Sequence, residues 1–250
     1  MRALITLVRR ELSSHFLSWS GYVVVAAVLF LIGLSFTNMI TAMNGTNSEM
    51  QLTEIFYNTQ YFWLILLLAS PVITMRTFAL EKASGTYETL MTTPVGDLTV
   101  VLAKYIGALI FFMLMWLPLL LCLFVLRHYS TDPTALDPRV TAVTFLGIML
   151  IGSVYMAMGC WASALTSSQV VAAMVSLGLG VALFIVGFLS YSNPTPTTVS
   201  GRVLEYVSII SHLKEFARGV VDSRPLTFYA TLTGFFLFLT LKAVESRRWK

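Results

Sequence analysis

Charge is scarce in this chain. Asp, Glu, Lys and Arg make up 11% of its 250 residues, and 57% of the residues are hydrophobic. Soluble domains carry about 25% charged residues. With a mean hydropathy of +0.80, the sequence reads as an all-α integral membrane protein. Roughly 20 apolar residues cross a bilayer as a helix. The length therefore admits six spans with short loops, and no large soluble domain. Residues 1–250 read as a single transmembrane domain.

Other scarcities exclude chemistries. There are two cysteines, Cys122 and Cys160, both inside apolar segments, where they read as packing residues rather than a disulfide framework. The three histidines, His15, His128 and His212, are far apart and form no His-Glu-x-x-His pattern. No metal site is expected. Ser153 follows Gly152, but no G-x-S-x-G motif surrounds it and no membrane-buried histidine is expected to serve as a base. No catalytic residue is assigned, and the chain is not read as an enzyme. The span interiors hold essentially no ionisable residue, so the usual signature of an ion-gradient transporter is missing. There is no G-x-x-x-x-G-K-[ST] phosphate loop. If this protein does work, the energy must come from another polypeptide. The formal charge of +4 does not point to nucleic acid, because the basic residues sit at the edges of apolar segments, as topology signals do.

What is present is a regular alternation of apolar runs and short polar stretches. Residues 2–16 place Ile5, Val8, Leu12 and Phe16 on one helical face and Arg2, Thr6, Arg9, Arg10 and Ser13 on another. That is the pattern of a basic amphipathic helix lying in the interface. The apolar run behind it far exceeds the 7–15 residues of a signal-peptide core. Spans are expected at about 18–40, 55–75, 104–126, 141–164, 169–190 and 225–242. Pro71 and Pro118 fall inside the second and third. A polar loop with Asn44, Asn47, Glu49 and Glu54 follows the first. No charged residue occurs from Val140 to Gly201, which is too long for one span, and Thr166, Ser167, Ser168 and Gln169 offer the only break. Asn193, Pro194, Thr195 and Pro196 end the fifth span. Small residues recur at four-residue spacing, as Ser153/Ala157, Gly159/Ser163 and Ser176/Gly180. They suit close helix approach, either within one subunit or between two.

With the N-terminus cytoplasmic, the inside segments hold Arg2, Arg9, Arg10, Arg76, Lys82, Lys104, Lys242, Arg247, Arg248 and Lys250. The outside then holds Arg127, Arg139, Arg202, Lys214, Arg218 and Arg224. The excess favours both termini cytoplasmic. The charged stretch 76–104 is then cytoplasmic. Span two can continue as helix through Arg76 to about Lys82, where Gly85 breaks it. Thr86 is a candidate N-cap with Glu88 in the following turn. Tyr87, Leu90 and Met91 share a face, Pro94 and Gly96 support a turn, and Asp97 is a candidate N-cap for span three. The expected product is a helical elbow able to pass a push into two spans. The plainer reading is a solvated loop with some helix.

The run Glu81-Lys82-x-x-Gly85-Thr86-x-Glu88-x-Leu90-x-Thr92-x-Pro94-Val95, with Lys104 and Tyr105 beyond it, resembles the first cytoplasmic loop of ABC-2 type permeases. It is most similar to the branch that includes the gliding-motility permease GldF and the nitrous-oxide-system permease NosY. Tyr206, His212, Phe216, the run from Arg218 to Asp222, Tyr229 and the closing Arg247-Arg248-Trp249 carry the same resemblance at the C-terminal end. The resemblance implies six spans, a leading interfacial helix with Arg9 and Arg10, and a coupling helix between spans two and three. Glu81, Lys82, Gly85, Thr86, Glu88, Leu90, Thr92 and Pro94 would be its contact and hinge set against a separate ATPase. It implies two ATPase copies, which bind the ATP, so that this chain carries no cofactor of its own. It also implies a second permease subunit, identical or different, in a bacterial inner membrane.

Residues 202–223 are amphipathic again. Tyr206, Ile209, Leu213, Phe216 and Val220 share one face, and Ser208, Ser211, His212, Glu215, Arg218 and Asp222 the other. The resemblance implies short outer helices before span six, with His212, Glu215 and Arg218 as candidates for a gate or for docking a periplasmic or membrane accessory protein. The plainer reading is a solvated helix pair with Glu215 beside Arg218. The expected function is export or translocation driven by a partner ATPase. The rival is a subunit that transmits force to an extracytoplasmic partner and moves no substrate.

Overall fold

The computed structural model describes residues 2–45, 60–87, 95–129, 137–192 and 199–246. Several readings fall outside them. These are Asn47, Glu49 and Glu54 of the first loop, Glu88, Leu90, Met91, Thr92 and Pro94 of the elbow, the Asn193–Pro196 turn, and the Arg247-Arg248-Trp249 end. Among the described residues every regular element is helical.

Helix α1 (Arg2–Phe16) leads into α2 (Trp19–Gly45). The corner between them depends on Gly21, because a Cβ there would collide with the His15 carbonyl oxygen. Helix α3 (Gln60–Thr74), the short α4 (Ala79–Ser84), α5 (Asp97–Tyr129), α6 (Pro138–Leu165) and α7 (Gln169–Ser192) follow. The pair α8 (Val199–Val207) and α9 (Ile209–Ala217) precedes α10 (Ser223–Glu245). Six segments are long and apolar enough to cross a membrane, starting at Trp19, Gln60, Asp97, Pro138, Gln169 and Ser223. The protein is thus a multi-pass, all-α integral membrane protein. The break at Thr166–Ser168 is where the sequence places it. Thr166 is extended at the end of α6, and the Ser168 carbonyl accepts the first helical N–H of α7, from Ala172 at 3.0 Å.

Two expected boundaries are displaced. Span two does not run as helix through Arg76. Its first helix stops at Thr74, residues 75–78 turn, and α4 from Ala79 completes the apolar segment that runs to Ser84. The Thr74 hydroxyl bonds back to the Ser70 carbonyl at 2.8 Å and the Thr77 hydroxyl to the Thr74 carbonyl at 2.8 Å. Such local bonds compete with the helix ladder, and a buried serine from α6 satisfies the freed amides. Gly85 does end α4, with φ +74° in the left-handed region that favours glycine. At the head of α5 the cap position belongs to Gly96, whose carbonyl accepts from Thr99 and Val100. Asp97 lies in the first turn instead, where its charge still suits the helix dipole. Helix α5 has 33 residues, about 50 Å of rise, which exceeds the roughly 30 Å hydrocarbon layer. Lys104, at the expected start of the span, lies two turns inside the helix that begins at Asp97.

Helix α6 is the centre of the bundle, packing on α3, α5, α7, α9 and α10. Its small residues form the holes into which neighbours insert. A Cβ on Gly147 would lie 2.8 Å from the Phe216 ring, on Gly152 would overlap the Phe112 ring, and on Gly159 would lie 2.6 Å from Thr74 Cβ. Ala157 and Ser163 are fully buried, and Gly180 of α7 faces Tyr155. The small pairs noted in α6, and Gly180 in α7, thus pack inside this chain. Gly159→Ala should cost about 1–3 kcal/mol through overpacking. Gly178→Ala, whose Cβ would meet nothing within 4 Å, should leave thermal unfolding in detergent unchanged.

The segment before α10 is two helices. Ser208 separates them, capping α9 by accepting from the Ser211 amide at 3.3 Å and donating to the Gly187 carbonyl at 3.2 Å. The single apolar face expected across this segment is split accordingly. Ile209, Leu213 and Phe216 are buried, whereas Tyr206 and Val220 are exposed. His212, expected on the polar face, is buried beside Tyr229 and Phe228.

Candidate functional site

Helix α1 lies along α5. The stripe it turns inward is Leu4, Leu7, Val8, Glu11, Leu12 and His15, while Ile5 is 66% exposed. The docked face is thus rotated from the Ile5–Phe16 stripe, and a carboxylate sits in its middle. Gly107 of α5 permits this approach, because a Cβ there would lie 2.8 Å from Glu11 Cβ.

Glu11 faces Lys104, one helical turn below Gly107 and 2% exposed. Lys104 Nζ donates to Glu11 Oε1 at 2.9 Å and to the Thr77 carbonyl at 2.6 Å, and pairs with Glu81 Oε1 at 2.9 Å. An ammonium has three donors, and Lys104 has an oxygen for each. Its charge also lies 5.2 Å from the Phe78 ring centre. Glu81 Oε1 accepts a second cation, Arg10 Nη2, at 3.3 Å. Arg76 donates to the hydroxyls of Ser18 and Ser20, where α1 meets α2.

The result is a charged node joining three elements: α1 through Arg10 and Glu11, the turn and α4 through Arg76, Thr77 and Glu81, and α5 through Lys104. A recess of about 220 Å³ opens beside it, lined among others by Arg10, Ser14, Arg76, Ser84, Thr86 and Lys104. Buried ion pairs hold only when geometry and hydrogen bonding are nearly complete, since desolvation offsets the attraction. Lys104 meets that condition for its own donors, while Glu81 Oε2 is buried with no hydrogen-bond partner among the described residues. His15 stacks on Phe111 at 5.0 Å. Burial, reinforced by Arg76 and Lys104, pushes its pKa below the usual 6.5, and Glu11 opposes the shift. A neutral ring adds no further cation to the node.

The predicted elbow residues have different places here. Glu81 points into the node. Lys82 turns the other way, donating to the Ala164 carbonyl at the end of α6 and lying 5.3 Å from the Tyr87 ring centre. Gly85 and Thr86 are exposed. Thr86 is already helical rather than a cap, with its hydroxyl 2.9 Å from that of Ser84. Arg10 belongs to the node, whereas Arg9 lies on the exposed side of α1.

His212, Glu215 and Arg218 are on α9 and its C-cap, apart from the node. His212 Nδ1 lies 3.3 Å from the Tyr229 hydroxyl, and burial lowers its pKa to about 4, with Asp222 opposing. Burial raises the pKa of Glu215, and Asp222 and Glu205 add to the rise against Arg224. The Thr144 hydroxyl donates to the Phe216 carbonyl at 3.3 Å, fixing α9 on α6.

Reading the sequence alone passed over Glu11, Thr77 and the burial of Lys104. One signal was present. Glu11 is the only acidic residue before Glu49, and a lone acid in a basic helix asks for a cation from elsewhere.

Residues 5–244 match the family model described as ABC-2 family transporter protein. Among individually curated proteins no match is found.

Proposed function

This chain belongs to the ABC-2 family of transporter proteins, and from that premise we propose that it is the membrane-spanning permease subunit of an ABC transporter. A separate ATPase, present in two copies, binds and hydrolyses the ATP. A second permease subunit, identical or different, completes the membrane unit. The Lys and Arg distribution supports cytoplasmic termini, in a bacterial inner membrane, and the elbow motif supports the GldF/NosY-like branch. The ATPase docks on residues 81–94, and its closure drives export.

The charged node carries this reading. Glu81 shares Lys104 with Glu11, so a push on the elbow reaches α1 and α5 together rather than one span alone. The test is affinity purification in mild detergent with ATPase activity assayed on the eluate. Wild type should bring down an ATPase, and Glu88→Arg should lose it or uncouple it. Folded, abundant wild-type protein without any ATPase would overturn the reading.

One observation favours a second reading, in which the subunit transmits force to an extracytoplasmic accessory protein. Helix α9 is held on α6, α7 and α10 by Thr144, Ser208 and His212. Motion of those spans would therefore carry the outer helices with it. Transport of a substrate by reconstituted protein would separate the two.

A further inference from the structure

At the end of the bundle away from α1, a groove of about 640 Å³ separates the last turns of α5 from the first turns of α6. Its walls are apolar, formed mainly by Leu120, Leu121, Phe124 and Phe145, with Arg127 at the end of the span. Leu121 and Phe124 are each more than two-thirds exposed, so the groove opens sideways toward the bilayer. Among the described residues that line it, none is acidic. An arginine therefore stands at the edge of an apolar channel, at headgroup depth, with no countercharge among the described residues that line it.

We propose that this groove holds one anionic phospholipid, with an acyl chain against Leu121, Phe124 and Phe145 and the phosphate on Arg127. The chemistry favours this occupant over a peptide or a soluble anion. A span-end guanidinium reaches out of the hydrocarbon to the headgroup layer, and its planar fork matches phosphate oxygens. The apolar walls offer a peptide backbone no hydrogen-bond partners. A zwitterionic lipid carries its own cation beside the phosphate, so the site selects lipids with net negative charge. The lipid would press on the part of α5 beyond Pro118, the same helix that carries Lys104 at its other end. The proposal does not depend on the ATPase partner.

Full-length protein in mild detergent, followed by native mass spectrometry, tests it. Phosphatidylglycerol and phosphatidylcholine with matched chains are titrated separately. Wild type should keep one phosphatidylglycerol at about fivefold lower lipid concentration than phosphatidylcholine, the scale of one basic residue acting on an anionic headgroup. Arg127→Gln should abolish the preference while leaving phosphatidylcholine retention unchanged. Arg224→Gln, an exposed arginine outside the groove, should keep the preference. Ala142→Trp, which fills the groove from α6, should weaken retention of both lipids. Equal retention of the two lipids by wild type would overturn the proposal. So would loss of the preference in Arg224→Gln to the same degree, or wild-type retention by Ala142→Trp.

Discussion

Lys104→Met should destabilise the protein by about 3–5 kcal/mol, the cost of breaking a buried pair by removing one partner. The substitution keeps the length and apolar stem of the side chain, so the loss isolates the charge. Glu11 and Glu81 would then face each other across the space the ammonium occupies, with Arg10, among the described residues, the cation that remains in contact, at 3.3 Å from Glu81. The Thr77 carbonyl would lose its donor as well. Lys104→Arg should not restore the site, because a planar fork cannot point three donors at three separate oxygens around one compact centre. The triple variant Lys104→Met, Glu11→Gln, Glu81→Gln should recover much of the stability, since no uncompensated buried charge remains and Arg10, more than half exposed, is left to water. On the proposed permease function it should not recover ATPase coupling, because the elbow would no longer be tied to α1 and α5. Thermal unfolding in detergent and partner ATPase activity, measured on the same preparations, read the two effects separately. Recovery of both in the triple variant would show that the node is packing alone.

The node explains how far the sequence could be read. Spans are set by runs of apolar residues long enough to cross a bilayer, a one-dimensional property. All six were legible for that reason, as was the break at Thr166–Ser168, where three polar residues interrupt a charge-free stretch. The Gly85 stop was legible too, because only glycine adopts the left-handed conformation without penalty. The node was not, because its members lie far apart. Glu11 and Lys104 are separated by 93 positions and Arg10 and Glu81 by 71. Nothing local distinguishes a lysine that opens a span from one buried eight residues into a longer helix. The amphipathic pattern of α1 also misled. Its apolar residues divide between a docked stripe and an exposed one, and hydrophobic periodicity cannot say which stripe meets protein and which meets lipid. His212 reversed in the same way. A histidine on a polar stripe reads as solvated until Tyr229, on another helix, covers it.

Ser163→Ala should be the second severe substitution, and it tests the break in span two that the sequence reading missed. Ser163 Oγ accepts from the amides of Phe78 at 3.1 Å and Ala79 at 3.0 Å, and donates to the Met75 carbonyl at 3.2 Å. The residue is fully buried, so water cannot replace it. Each buried backbone group left without a partner costs about 1–3 kcal/mol, and removing one hydroxyl orphans two donors together with an acceptor. A loss of about 2–5 kcal/mol follows, with the lower end reached if the chain heals itself. Healing has one obvious form, in which α3 and α4 merge into a continuous helix through residues 75–78. That helix would satisfy the amides internally, but it would also turn Arg76, Thr77 and Glu81 away from their present partners. Either outcome disables the node, one through instability and the other through rotation. Amide hydrogen exchange separates them. Instability would release protection at Phe78 and Ala79, whereas a continuous helix would preserve it while partner ATPase activity becomes uncoupled. Protection and coupling both at wild-type levels would mean that the turn is held by its own threonines, Thr74 and Thr77, and that the serine from α6 only fills space.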